Sequence, residues 1–205
     1  MTAESEKSAI RSVDSVANIY AIVIGLALTQ AIEALVGNPG SGGANLDATR
    51  ILDGTPAFVA LLVTLLPFWH GMNRHLDRCY ISKAGSVAHY AILLDFVTFF
   101  FEAILMFVAG WSLRQGLLTF YCLGLLLLVD MVWGFISHLI HFPHEKSHVI
   151  IWSGINIVAG VIGFCVCAYP FESKAWVLMV LAIGRTVADY LLGGDFYFPR
   201  IRQQV

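Results

Sequence analysis

The sequence predicts an all-α integral membrane protein, a six-transmembrane-helix bundle with its N- and C-termini in the cytoplasm. Three observations predict it. Of the 205 residues, 58% are hydrophobic and only 13% charged, and the mean hydropathy is +0.76, well beyond the balance of a soluble domain. Apolar runs long enough to cross a hydrocarbon core about 30 Å thick follow one another along the chain. Lysine and arginine beside those runs are shared unevenly between the two sides. The chain, residues 1–205, reads as a single polytopic membrane domain. Its longest polar stretches are the N-terminal segment and the loop from Gly37 to Thr55, too little for a soluble enzyme domain. A formal net charge of −2 gives no electrostatic case for nucleic acid. The N-terminus, MTAESEKSAIRSVDS, lacks the basic region and cleavage site of a signal peptide and is expected to stay on the protein. Cys79, Cys122, Cys165 and Cys167 have no metal or redox spacing and read as free thiols.

The first span, residues 16–36, follows a Ser/Asp-rich start suited to helix capping. Asn18, Ile22, Gly25, Thr29 and Glu33 lie along one of its faces. That stripe suits either close helix packing or a water-lined path with Ile22 as its apolar constriction. The second span, 56–76, is expected to open at Pro56 and to kink at Pro67, with Thr64 satisfying the carbonyl of Val63 that the proline frees. The third, 88–113, carries Asp95 and Glu102 on one face. The fourth, 117–141, carries Asp130 near its centre. The fifth, 148–170, has a small and polar face of Ser153, Asn156, Gly160 and Gly163, read as a packing surface. The sixth, 174–194, holds Arg185 roughly 16 Å from Lys174, near the middle of the bilayer, with Asp189 one turn on. Phe196, Tyr197 and Phe198 then read as an interfacial aromatic group.

With the N-terminus inside, Lys7, Arg11, Arg74, Arg78, Lys83, Lys146, Arg200 and Arg202 are cytoplasmic, against Arg50, Arg114 and Lys174 outside. All seven histidines then fall on the cytoplasmic side. Charges at bilayer depth cost at least ~2.5 kcal/mol each and mark a bundle interior or a wet cavity. The expected function is therefore a small channel or transporter in the cell's inner or plasma membrane. It passes a monovalent cation or a proton, needs no cofactor, and is expected to be a homo-oligomer. Its expected path is lined by Asn18, Ile22, Gly25, Thr29, Glu33, Asp95, Glu102, Asp130, Arg185 and Asp189.

The six-span plan and the run Tyr20, Ala21, Ile22 resemble the small bacterial relatives of the endolysosomal potassium channel, whose first helix lines the pore. That family's Arg-x-x-x-Phe-Ser-Asp motif is replaced here by RSVDSVANIY, so no functional residue is carried over. A second expectation is a metal-dependent membrane enzyme, with His70, His75, His138 and His141 as ligands. The H-x4-H and H-x2-H spacings resemble the histidine boxes of membrane di-iron desaturases and hydroxylases, but the paired H-x-x-H-H is missing. A third is a membrane accessory or effector subunit that works through a partner protein.

Overall fold

The computed structural model describes residues 3–37, 48–81, 89–141 and 148–198. Among them the regular structure is helical throughout. In order it comprises α1 (Ala3–Val36), α2 (Ala48–Leu76), a π-helical turn (Asp77–Ile81), α3 (His89–Trp111), a 3-10 turn (Ser112–Arg114), α4 (Leu118–His141), α5 (His148–Ala168), α6 (Lys174–Leu192) and the short α7 (Gly194–Tyr197). Six stretches are long and apolar enough to cross a membrane: Arg11–Val36, Ile51–Ile81, Ala91–Arg114, Leu118–Ile140, Ile150–Ala168 and Lys174–Leu192. The protein is a multi-pass membrane protein whose environment is a lipid bilayer.

Burial is inverted relative to a soluble domain. Leu93, Phe101 and Val180 are about 60% exposed, whereas Asp95, Glu102 and Asp189 are 1% exposed. Large apolar side chains outside and charges inside are what a hydrocarbon solvent demands, because an apolar side chain in lipid has no hydrophobic penalty to escape.

The helices close into a ring in the order α1, α3, α4, α5, α6, α2 and back to α1, with α2 also touching α3 and α4 across the interior. Small residues set the tightest approaches. On α1, Val13, Tyr20, Ala27 and Ala31 are buried at steps of seven, seven and four and form the inward line. Gly110 of α3 lies so close to the Ala27 carbonyl oxygen that a Cβ has no room. Between α4 and α5, Gly134 packs on Ser153 and Trp152, and Gly124 on the Phe164 ring. Of the small face of α5, Ser153, Asn156 and Gly160 are buried and Gly163 is half-buried. Gly116, at φ 61°, takes the left-handed conformation that turns the chain from α3 into α4.

Two expectations about α2 are corrected. The helix begins at Ala48, so Pro56 lies in its interior, not in its first turn. The carbonyl of Val63, freed by Pro67, accepts from Thr186 Oγ1 of α6 at 2.8 Å, while Thr64 Oγ1 donates to Ala60 O at 2.7 Å. A threonine hydroxyl on a helix bonds the carbonyl about one turn back, here i−4, and not that of the preceding residue, so the repair comes from the neighbouring helix. Thr186→Val is therefore expected to leave a buried carbonyl unpaired and to lower stability by about 1–3 kcal/mol, and Thr64→Val by less. Thermal unfolding in detergent checks the order of the two losses.

Candidate functional site

Four carboxyl groups are buried inside the ring: Asp95 and Glu102 from α3, Asp130 from α4 and Asp189 from α6. Each helix places them by its heptad-like inward line. On α3 that line runs Ala91, Asp95, Phe99, Glu102, Met106 and Ala109, all buried. Arg185 and Asp189 share the inner face of α6 one turn apart.

Asp95 is the most fully satisfied. His75 Nε2 donates to its Oδ2 at 2.9 Å, Tyr80 Oη to the same oxygen at 2.7 Å, and Trp133 Nε1 to Oδ1 at 2.8 Å. The other ring nitrogen of His75, Nδ1, lies 3.7 Å from Cys79 Sγ. His75 is thus held between an acid and a thiol, with the Trp133 ring 4.6 Å away.

At mid-depth a second group forms. Arg185 donates through Nε and Nη2 to Asn156 Oδ1 at 2.8 and 2.6 Å, and Asn156 Nδ2 passes the contact on to Asp130 Oδ2. Arg185 Nη2 also pairs with Asp189 Oδ2 at 3.3 Å. Tyr197 Oη donates to that same carboxylate oxygen at 3.0 Å. Burial, and next the Asp189 charge, push the Tyr197 phenol far above its usual range, so it acts only as a donor here. Tyr197 is 4% exposed. The expected interfacial belt is therefore corrected: only Phe198 of the trio is exposed, and Tyr197 folds back into the bundle.

Glu102 joins the two groups. Its Oε2 accepts from Tyr20 Oη at 3.2 Å, and the Asp130 carboxyl lies beside it. Its Oε1 is buried with no donor, as is Arg185 Nη1 with no acceptor.

Two cavities of about 40 Å³ meet this network from opposite halves of the bundle. One is lined by the second half of α2 and by Glu102, Asp130 and Asp189, with Phe68, Phe99, Trp133, Trp152, Phe196 and Tyr197 around them. The other is lined by Ala60 and Thr64 from the middle of α2 and by Phe120, Leu123, Leu127, Leu178 and Arg185. At ~10–15 Å³ per water, each has room for roughly three or four. The first is acidic and aromatic, the second apolar apart from Thr64 and Arg185.

The structure thus brings together five of the residues singled out by sequence: Asp95, Glu102, Asp130, Arg185 and Asp189. It does not bring the α1 stripe to them. Asn18, Ile22, Gly25, Thr29 and Glu33 are all exposed, Ile22 at 62%, on the outer face of α1. Thr29 Oγ1 there donates to its own helix, to Gly25 O at 2.9 Å. Tyr20, His75, Asn156 and Tyr197 belong to the network without having been singled out as path residues. Of the histidines taken as metal ligands, His75 and His70 are held by different partners. His75 is committed to Asp95, His70 packs against Tyr197, Phe198 and Tyr190, and the side chain of His141 lies outside the described residues. Among the described residues no group of three or more metal-binding side chains occurs. The four cysteines are free.

Fold and site together define a six-span membrane protein with a charged, partly hollow interior. No family model, no curated protein and no solved structure matches the chain.

Proposed function

We propose that the protein passes a proton or a monovalent cation through the interior of its own bundle, from the cavity beside Glu102 and Asp130, past Arg185, to the apolar cavity beyond. One observation carries this reading. Among the described residues four buried carboxyls face one buried guanidinium, Arg185, and one buried imidazole, His75. Asp95 is matched to His75 and Asp189 to Arg185. Glu102 and Asp130 are left side by side, sharing only the dipoles of Tyr20 and Asn156. Two carboxyls in contact at low dielectric are stable together only with positive charge between them, a shared proton or a bound cation. A midplane site of this kind, approached by a cavity from either half, is the arrangement in which a transported ion binds and leaves. The apolar second cavity, with Arg185 at its inner end, supplies the barrier that keeps such a path from leaking freely to other ions.

In the membrane the end of the bundle that holds Arg74, Arg78 and α7 faces the cytoplasm by charge bias, so the acidic cavity opens inward. A second reading puts the route between identical subunits along the outward stripe of α1, since polar and small residues on a lipid-facing surface favour contact with another copy. Reconstitution of the purified protein into liposomes tests the proposal: proton or potassium flux is expected above that of empty vesicles. Well-folded protein in vesicles tight to protons, potassium, sodium and chloride at every pH and voltage tried would overturn it.

A further inference from the structure

We propose that the acidic cavity binds a small organic ammonium ion, with Glu102 as its charge partner and the surrounding aromatic side chains as its walls. This rests on the reading of Glu102 and Asp130 as a cation site and names the kind of cation. Two independent features point to it. The first is the unpartnered oxygen: Glu102 is 1% exposed, lines the cavity, and its Oε1 has no donor. A buried acceptor without a partner is a place for an N–H group. Sharing a proton with the neighbouring Asp130 is the other way to satisfy it, and an ammonium ion placed against both carboxyls supplies the same positive charge together with several donors.

The second feature is the wall. Phe68, Phe99, Trp133, Trp152, Phe196 and Tyr197 surround the acids. A dehydrated alkali ion needs a full shell of oxygen dipoles in place of its water. Here the carboxylate oxygens are those of Glu102, Asp130 and Asp189, and Asp189 is already engaged by Arg185 and Tyr197. Aromatic side chains make up much of the rest of the lining. Aromatic faces attract cations and, unlike oxygens, also accept the polarised C–H groups of an alkylammonium, which is how aromatic cages hold such ligands. Trp133 and Trp152 meet edge to face at 5.6 Å, so the wall is packed in place before any ligand arrives. A space of about 40 Å³, room for only a few waters, favours a compact ion such as ethylammonium over bulky ones.

The test titrates ethylammonium chloride into detergent-purified protein at constant ionic strength, reading tryptophan fluorescence and heat, with sodium chloride and tetrabutylammonium chloride as comparisons. Saturable binding of ethylammonium alone is expected. Glu102→Gln should weaken it at least about tenfold, and so should Trp152→Leu, which keeps every carboxyl and guards against a folding defect in the first variant. No saturable response in the wild type, or equal affinity in both folded variants, overturns the inference. Proton or potassium flux without ethylammonium binding removes this inference and leaves the passage reading intact. Ethylammonium binding by protein whose vesicles pass neither proton nor potassium does the reverse.

Discussion

Asp189→Ala is expected to remove about 3–5 kcal/mol of stability, because it leaves the Arg185 guanidinium buried without the carboxylate it pairs with. Nη1 of Arg185 already lacks an acceptor, and Asn156 Oδ1, which takes Nε and Nη2, is a neutral dipole. The same substitution strands Tyr197 Oη, whose bond to Asp189 at 3.0 Å pins α7 under the bundle. Replacing Arg185 and Asp189 together by apolar residues of similar size removes both charges and should cost less than the single change, as buried pairs often behave. Thermal unfolding of both single variants and the double in detergent decides this. Additive losses contradict a coupled pair.

Glu102→Gln with Asp130→Asn should behave in the opposite way, with stability unchanged or higher and flux lower by at least about tenfold. The amides keep the shape and still accept from Tyr20 Oη and Asn156 Nδ2, so the neighbouring bonds at 3.2 Å and beside Arg185 survive. What disappears is the demand for a cation between two acids. A pair of residues whose neutralisation relieves the fold while abolishing activity is retained for function, not for packing.

Much of the architecture was legible because the bilayer restricts spanning structure to helices of known length, and six helices long and apolar enough to cross it are present. The acids and Arg185 were legible for the same reason: charge at that depth has to face inward, as the 1% exposure of Asp95, Glu102 and Asp189 shows. The direction of α1 was not legible. Its polar stripe is as compatible with a lipid-side contact as with a lumen, and its true inner line of Val13, Tyr20, Ala27 and Ala31 is almost wholly apolar. Asn156 looked like one more member of a small packing face, and only the closeness of α4, α5 and α6 turns it into the bridge from Arg185 to Asp130. Tyr197 carried the signature of a membrane-interface aromatic. The break at Gly193, where the amide bonds back to Asp189 O at 2.7 Å, sends the chain inward instead. Thr186 lay 123 positions from the carbonyl it repairs, a pairing that only tertiary structure reveals.

The central claim is that the Glu102 and Asp130 pair inside one bundle handles the transported cation. Proton flux into pH-jumped liposomes, measured side by side for wild type, Glu102→Gln with Asp130→Asn, and Ile22→Asn at equal amounts of folded protein, tests it most directly. Flux in the wild type, its loss in the double variant, and no change in Ile22→Asn are the predicted result. Undiminished flux in a well-folded double variant, above all together with a rise in Ile22→Asn, would contradict the account and place the route between copies along the outer face of α1.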